Sequence, residues 1–309
     1  MVIGIDNGNA STKTVNLSFN SGLIASSVPI PMVEECIYFN EKYYALSPKR
    51  TFYQKDKTSD DTCLVLTMFG IVKELLFNDV DIYSGAIGVE LAVGLPPSHY
   101  SKLKEGFENY FYKYGKHLVF KYNDREVVIE INDVRVYPQA YSAIAQNPSL
   151  KLQAKRIIIV DIGGYTTDVV GFLDGRLNPD LCFSLENGII ILCNNIKREA
   201  SAIFEERFEE DDIRDAIVGN RVFLPAKQVE FIKQKAEEHA TNLLNQLREY
   251  QIDLRSTRGV FVGGGSILLK EYIQDNDFVR EPIFIENVSC NAIGYAQMSN
   301  NYYKRLSKK

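Results

Sequence analysis

The chain has 309 residues, with 35 Lys and Arg against 40 Asp and Glu and a formal net charge of −5. One hydrophobic core rarely organises so long a chain, so the length favours two domains. The acidic balance argues against direct, non-specific binding to nucleic acid, which needs a basic surface.

Five scattered cysteines, none in a CxxC pair, argue against a zinc site or a disulfide framework. No apolar stretch approaches the roughly 20 residues that a membrane-spanning helix needs, and no basic segment followed by a long apolar run opens the chain. The expected location is the cytoplasm.

The chain begins with a predicted β-hairpin. An apolar, β-branched run ends at Asp6, and a polar turn then leads into a second run of strand character. Glycine lets backbone N–H groups approach phosphate oxygens, hydroxyls add donors, and a lysine adds positive charge. The residues predicted to bind phosphate are Gly8, Asn9, Ser11, Thr12 and Lys13. The alternative is that Asn-Gly serves only as a turn between two strands.

Helices and strands alternate after this hairpin. Apolar residues at helical spacing predict a helix over 60–77, and an apolar run predicts a strand over 86–95. A serine after the two prolines that follow this strand would cap a helix through Phe111. Two further strands are predicted over 127–131 and 134–137.

A second hairpin repeats the pattern of the first. The apolar run 158–160 precedes Asp161, and a turn with Gly163 and Gly164 leads to Thr166 and Thr167. The same phosphate-binding chemistry applies, with the same alternative of a plain turn. Two copies of one motif in one chain predict two domains of related architecture.

The two aspartates stand at the mouths of their turns. Carboxylates in this position would repel phosphate unless a divalent cation lay between them, and Mg²⁺ held through water by one or two carboxylates is usual in proteins. Asp6 and Asp161 are therefore predicted to hold Mg²⁺, and both hairpins to bind a single Mg-nucleotide from opposite sides.

The second half of the chain continues the alternation. Helices are predicted over 188–208 and 225–250, followed by a strand over 259–262, a glycine-rich loop and a helix from Ile267, which gives an α/β class. The loop residues Gly263, Gly264, Gly265 and Ser266 are predicted to approach an adenine or ribose, with a flexible turn as the alternative. The sequence has no dinucleotide-binding Gly-x-Gly-x-x-Gly pattern and no P-loop.

With these elements in order, the chain resembles the actin, sugar-kinase and heat-shock chaperone superfamily, and within it the ParM/StbA plasmid-segregation proteins. Segments 53–57 and 91–100 add to this resemblance. It implies an actin-like (ribonuclease H-like) two-domain fold with an interdomain nucleotide cleft. The domains expected are domain I over 1–160, with a smaller subdomain at about 33–85, domain II over 161–275, and a C-terminal helix over 276–309 that returns to domain I.

The resemblance also implies roles for particular residues. Segments 6–13, 161–168 and 262–266 correspond to the first phosphate, second phosphate and adenosine motifs, and 289–296 to a connecting helix that contains Gly294. Gln139 takes the place of the water-orienting Glu or Gln, so the expected catalytic residues are Gln139, Asp161 and Asp6. A polar residue at a helix start is the alternative for Gln139.

The activity implied is slow ATP hydrolysis, with GTP as an alternative nucleotide and Mg²⁺ as cofactor. Polymerisation into a filament is the implied use, with a DNA-binding adaptor at a plasmid centromere as partner. A small-molecule kinase and a non-polymerising scaffold of the same fold stay open. The basic tail, with Lys304, Arg305, Lys308 and Lys309, is either a solvated end or a site for an acidic partner.

Overall fold

The computed structural model describes residues 1–50 and 56–307. The chain forms two compact units: residues 1–147 together with the segment from Ser289 onward, and residues 148–288 between them. The change between units therefore falls at Asn147, whereas the sequence predicts it at residue 160.

The strands of the first unit, in chain order, are β1 (Val2–Asn7), β2 (Ser11–Lys13), β3 (Ser18–Asn20), β4 (Leu23–Ser26), β5 (Cys36–Phe39), β6 (Lys42–Leu46), β7 (Ala86–Leu95), β8 (His117–Tyr122) and β9 (Arg125–Pro138). Those of the second unit are β10 (Arg156–Ile162), β11 (Thr167–Leu173), β12 (Arg176–Leu185), β13 (Arg258–Val262) and β14 (Ile283–Phe284). The helices are α1 (Thr62–Phe77), α2 (Pro97–Tyr110), α3 (Ile189–Phe204), α4 (Glu210–Val218), α5 (Ala226–Glu249), α6 (Gly264–Leu268), α7 (Lys270–Gln274) and α8 (Cys290–Leu306). Short 3₁₀ turns occupy Ser142–Ile144 and Pro148–Leu152.

The described residues of the first unit form one sheet of nine strands, in the order β3-β2-β1-β7-β9-β8-β5-β6-β4. Strands β1, β2 and β3 make an antiparallel meander, and β7 and β9 extend it by parallel pairing from β1. The remaining four strands continue the sheet beyond β9 by antiparallel pairing.

The second unit repeats the central arrangement. Its five described strands are ordered β12-β11-β10-β13-β14, with an antiparallel meander of the first three and parallel pairing from β10 to β13 and β14. The same order and the same directions occur in β3-β2-β1-β7-β9. The α/β class and the related architecture of the two halves, both expected from the repeated hairpins, are confirmed.

Strand β9 differs from the prediction of two separate strands. It runs unbroken from Arg125 to Pro138, and the register of its pairing with β7 shifts between Val89 and Glu90, so that Asn132 has no partner in the ladder. A β-bulge absorbs one extra residue without ending a strand. The polar pair Asn132-Asp133 therefore marks a bulge, where the sequence pattern suggested a break.

Two helix boundaries also differ from the sequence prediction. Helix α2 begins at Pro97, directly after Pro96, because proline lacks only an N–H that a first-turn position leaves unbonded anyway. Helix α3 ends at Phe204, since Glu205 adopts the left-handed conformation with a φ of 57°. A helix cannot continue through that conformation, and the chain turns into α4.

Each sheet is covered by helices that the sequence pattern predicts well. Helix α1 is apolar nearly all round, and most of its residues are buried, as expected for a helix inside a core. Helix α5 is amphipathic and buries one stripe that includes Ile232, Ala236, Leu243 and Leu247. The buried clusters of the two units give each its own hydrophobic core.

Helix α8 packs so closely on the first unit that small residues are required. A Cβ on Gly294 would lie 1.9 Å from the carbonyl oxygen of Ser142, and one on Gly4 would lie 2.1 Å from that of Ala292. Real Cβ atoms do not approach oxygen at these distances. The two glycines therefore let α8 lie directly against β1 and the 3₁₀ turn that follows Gln139.

Candidate functional site

The first hairpin is a tight turn between β1 and β2. Their register pairs Asp6 with Lys13 and Asn7 with Thr12. The Gly8 N–H donates a hydrogen bond of 3.0 Å to the Asp6 carbonyl, and a Cβ on Gly8 would lie 2.7 Å from the Ser11 carbonyl oxygen. The turn therefore needs glycine at this position, because any larger residue would force its two sides apart.

Two other predicted site residues, Gln139 and Lys13, converge on the Asp6 carboxylate. This side chain is only 3% exposed. The Gln139 amide Nε2 donates to Asp6 Oδ1 at 2.8 Å, and Lys13 Nζ lies 4.0 Å from Asp6 Oδ2. The ends of β1, β2 and β9 thus bring a carboxylate, an ammonium and an amide together.

The backbone around Gln139 is held in an uncommon conformation. Gln139 donates its N–H to the Leu95 carbonyl at 2.9 Å. Ala140 has a φ of 61°, and its N–H donates to Asn291 Oδ1 at 3.1 Å. A non-glycine residue in the left-handed region costs on the order of 1–3 kcal/mol, and such strain clusters at functional sites. Asn291 of α8 therefore helps to fix the orientation of Gln139.

Two residues that contact the first hairpin, Lys57 and Thr67, were not predicted from the sequence as part of the site. Lys57 donates its Nζ to the Asn7 carbonyl, and the Asn7 Nδ2 donates to Thr67 Oγ1 at 2.9 Å. Asn7 Oδ1 is buried without a hydrogen-bond partner among the described residues. The signal for Lys57 was its place in the family-like segment 53–57, of which 53–55 lie outside the described residues.

The hydroxyl of Thr12 is hydrogen-bonded within the first unit. Thr12 is fully buried, and its Oγ1 lies 2.9 Å from Ser21 Oγ, which in turn donates to the Gly8 carbonyl at 2.6 Å. Asn9, Ser11 and Lys13 are partly exposed. Ser11 and Lys13 of the hairpin are thus accessible to a ligand, whereas the Thr12 side chain stabilises the turn from the buried side.

The second hairpin has the same construction. Strands β10 and β11 pair Asp161 with Asp168 and Ile162 with Thr167. The Gly163 N–H donates to the Thr166 carbonyl at 2.9 Å, which closes the turn. Asp161 is 6% exposed, so each unit places a nearly buried aspartate at the end of the first strand of its hairpin.

The start of α3 holds the carbonyl groups of this second turn. The N–H groups of Gly188, Ile189 and Ile190 donate to the carbonyls of Tyr165, Gly163 and Gly164 at 2.9, 3.2 and 2.7 Å. Thr167, which is fully buried, donates its hydroxyl to the Asn187 carbonyl at 3.1 Å. The turn 163–166 is therefore fixed by the first turn of a helix.

The glycine-rich loop after β13 lies against the second hairpin. A Cβ on Gly263, which has a φ of 86°, would lie 2.3 Å from Asp161 Oδ1, and one on Gly265 would lie 2.7 Å from the Ile162 carbonyl oxygen. Ser266 is 1% exposed and donates its hydroxyl to the Val262 carbonyl. Loops at the carboxyl ends of parallel strands, here β10 and β13, are the usual place for ligands in α/β sheets.

His239 of α5 was not predicted as part of this region. It is 8% exposed, its Nε2 has no hydrogen-bond partner among the described residues, and burial lowers its pKa to about 4, an effect opposed by hydrogen bonding to Asn187. Gln246, two turns further along α5, accepts a 3.0 Å hydrogen bond from Asn187 Nδ2. Helix α5 therefore holds Asn187, which holds the second hairpin.

Burial of the His239 imidazole predicts that the free energy of unfolding depends on pH. Because the folded pKa of His239 is about 4 and that of an unfolded histidine about 6.5, the unfolded chain binds more protons between these values. We expect stability to fall by about 3 kcal/mol as the pH drops from 6.5 to 4. Chemical denaturation of the wild type and the His239→Gln variant at both pH values measures this loss. An unchanged pH dependence in the variant would exclude His239 as its source.

The oxygen ligands of the first unit suit a hard divalent cation. Mg²⁺ is held in proteins by one or two carboxylates and by water. The Asp6 carboxylate and Asn7 Oδ1, which has no hydrogen-bond partner in the part of the chain that the structure describes, lie on consecutive residues. Lys13 and Lys57 supply positive charge nearby. In the second unit, Asp161 lies at the corresponding strand end. The residues present therefore fit a magnesium-bound phosphate.

Helices of membrane-spanning length and hydropathy do not occur within residues 1–50 and 56–307.

Comparison with known families supplies an independent observation. The N-terminal domain of actin-like proteins matches residues 4–141, within the first unit, and the C-terminal domain of archaeal MreB-like actin homologues matches residues 159–275, within the second. The chain belongs to the actin-like proteins. A search of curated proteins found no match to the sequence.

Solved structures of the same fold span almost the whole actin-like chain. The archaeal actin homologue Ta0583 in complex with ADP has a TM-score of 0.73 and 16% identity, covering 97% of this chain and 99% of its own. A 15-stranded ParM filament from Clostridium botulinum gives 0.74 and 18% with the same coverage, and Bacillus thuringiensis ParM with ATP gives 0.68 and 13%, covering 98% of both chains. The actin-like fold expected from the sequence is confirmed.

Proposed function

We propose that this protein is an ATP-dependent, filament-forming actin-like protein of the cytoplasm that drives plasmid DNA segregation, with slow nucleotide hydrolysis controlling filament stability. The observation that carries the proposal is the convergence of Asp6, Lys13 and Gln139 in the first unit, beside a glycine turn that is repeated at Asp161 in the second. Known structures of the fold with ADP, with ATP and as a filament support it.

The roles proposed follow from which groups are free to act. Phosphate is bound by the turns and by partly exposed side chains, namely Gly8, Asn9, Ser11, Lys13, Gly163, Gly164 and Thr166, and Gly263 to Gly265 approach the nucleoside. The hydroxyls of Thr12, Thr167 and Ser266 are already engaged within their units, so these residues position the loops. The proposed set of nucleotide-binding residues is therefore smaller than the set expected from the sequence, because it leaves out Thr12, Thr167 and Ser266.

The chemistry proposed at Gln139 is orientation of a water molecule. An amide has no useful basicity, so Gln139 can hold the attacking water in line but cannot remove its proton. The hydrogen bond from Gln139 Nε2 to Asp6 Oδ1 leaves the amide oxygen as the group that accepts from water. When bound, Mg²⁺ would neutralise charge on the phosphates. Slow hydrolysis is the expected result, and it suits a protein in which hydrolysis limits the lifetime of a filament.

We further propose that one nucleotide is bound by both units. A ligand that contacts two units favours the conformation in which both sets of contacts are made, and its triphosphate form makes more contacts than its diphosphate. Assembly would therefore respond to ATP and reverse after hydrolysis. ATP is the nucleotide proposed and GTP the second to be tested.

Electron microscopy and sedimentation with Mg²⁺ and ATP, ADP or GTP test the function directly. We expect filaments with ATP and their disassembly after hydrolysis. Absence of polymer at every protein concentration would contradict the proposal. ATP turnover that requires an added sugar or acid would instead indicate a small-molecule kinase. For the proposed plasmid function, the adaptor would be tested by adding centromere-bound DNA-binding protein from the same plasmid.

Exposed apolar side chains predict where protomers meet. Met32, between β4 and β5, is 103% exposed, and Phe223, between α4 and α5, is 102% exposed. Burying such a side chain in a contact contributes roughly 1.5–3 kcal/mol, so Met32→Ser and Phe223→Ser should each raise the critical concentration at least about tenfold. Sedimentation against protein concentration measures it. Unchanged critical concentrations, with nucleotide binding intact, would place the contacts elsewhere.

A further inference from the structure

The first unit contains a cavity of about 360 Å³ that is separate from the hairpin. It lies between α2, the end of β9 and the last turns of α8, and all of its lining residues belong to the first unit. Pockets of this size accommodate one or two bulky side chains or a small ligand. None of the proposed nucleotide-binding residues lines it.

Part of the cavity lining is apolar and aromatic. Val136, Tyr137, Tyr141 and Met298 contribute to its lining. The Tyr137 hydroxyl lies 2.9 Å from Ser299 Oγ, so that its polar end is already paired and its ring remains for contact. An apolar side chain is the group that such a surface binds best, because it gives up no hydrogen bonds on entry.

The rim of the cavity is basic in an otherwise acidic protein. The charged lining residues are Lys104, Arg135, Arg305 and one acid, Glu108, whose Oε1 lies 3.7 Å from Lys104 Nζ. Arg135 is stacked over the Tyr302 ring at 3.5 Å and held by Asp133 at 3.0 Å, which gives it a fixed direction. Including Asp133, the rim has a net charge of +1, whereas the chain as a whole carries −5. Arg305 adds an exposed cation beside Lys304, in the basic tail of the sequence.

We propose that this cavity is a docking site for an acidic segment of a partner protein that inserts one bulky apolar side chain. The apolar lining residues would take the side chain. The exposed Arg305 would attract the carboxylates that flank it, and Lys104 and Arg135, which are ion-paired with Glu108 and Asp133, would add positive potential. Charge complementarity selects an acidic segment over a basic one. The groove between two helices suits a short peptide that lies along α8. The proposal does not rest on the proposed function, because the cavity lining shares no residue with the proposed nucleotide-binding set.

Selection from a phage-displayed library of random dodecapeptides on the purified full chain tests the proposal. We expect enrichment of peptides that combine Asp and Glu with Phe, Leu or Trp. Synthetic peptides from the selection, measured by fluorescence anisotropy, should bind more weakly as salt is raised. The double variant Lys104→Glu with Arg305→Glu should lower their affinity at least about tenfold. The matched control, Lys102→Glu with Lys304→Glu, changes the same charge on the same two helices outside the cavity and should have less than about a twofold effect.

A second pair of variants tests the cavity apart from its charge. Asn301→Trp places a large ring in the cavity and should abolish peptide binding, whereas Asn300→Trp, on the neighbouring exposed position outside it, should not. No acidic enrichment, or selected peptides that bind all variants equally, would overturn the inference. Nucleotide binding and polymerisation, measured on the same variants, should be unchanged, so that failure here is distinguishable from failure of the proposed function.

Discussion

The Gln139→Ala variant should hydrolyse ATP about 100-fold more slowly than the wild type, with nucleotide affinity changed by less than about threefold. The reason is that Gln139 is proposed to act on water, and not on the nucleotide itself. Its hydrogen bond to Asp6 and the strained Ala140 that follows it fix the amide in one place. Alanine leaves the water without that orienting group.

Phosphate release measured in single turnovers, together with nucleotide affinity by fluorescence titration, separates these effects. Filaments of the variant should form with ATP and persist, because the step that destabilises them is slowed. The matched control is Gln146→Ala, an exposed glutamine in the same unit, which should behave as wild type. A variant that hydrolyses ATP normally would remove Gln139 from the mechanism.

The second large effect concerns the two aspartates. Asp6→Asn and Asp161→Asn should each weaken binding of ATP in the presence of Mg²⁺ by about 100-fold. Changing even a residue that only orients a metal ligand lowers metal affinity by about 10–100-fold. Without Mg²⁺ the loss should shrink, because removal of a carboxylate also removes a repulsion against phosphate. Asparagine preserves the shape of each side chain, so any loss of ATP affinity reports the loss of the negative charge.

The double variant tests whether both aspartates serve a single ion. If they do, it should bind ATP little more weakly than either single variant, whereas independent sites would give additive losses in free energy. Asp79→Asn and Asp174→Asn are suitable controls. Both residues are exposed, and each has a positive φ, 57° and 49°, that asparagine tolerates. Equal affinity with and without Mg²⁺ in the wild type would contradict the metal role.

The repeated topology gives these predictions a common basis. In both units, the antiparallel meander ends its first strand at a nearly buried aspartate, and parallel strands extend the sheet from that same strand. The glycine turn therefore sits at the carboxyl end of a central strand in each case. This is why the same two residue types, aspartate and glycine, recur at corresponding places in the two halves.

The pattern of the sequence was most informative where local chemistry decides the structure. The β-branched runs before Asp6 and Asp161 predicted strands, since such residues pack well on a pleated surface. The helical stripe of α5 predicted its extent to within a residue at each end, because an amphipathic face this regular can be buried in only one way. Glycine after aspartate predicted both turns.

Other features depended on contacts between distant segments. Lys57 meets Asn7 across 50 residues, and α5 reaches Asn187 through Gln246 across 59. No local pattern marks such partners. The hydrogen bond between Thr12 and Ser21 could not be predicted either, since a threonine in a turn looks the same in the sequence whether its hydroxyl faces solvent or the core.

The sequence by itself determined the class of the protein. A strand, an Asp-x-Gly turn and a second strand occur twice, with helices between them, and this repeat specifies an α/β architecture of two related halves. It can be read from the sequence because propensity and periodicity act over neighbouring residues. Only the tertiary structure decided which side chains of each hairpin remain available to a ligand and which brace the turn. It also decided that α8 lies against β1 through Gly4 and Gly294, and so where the basic end of α8 meets α2. Burial and hydrogen bonding are properties of the packed chain, and they are set by residues far apart in the sequence.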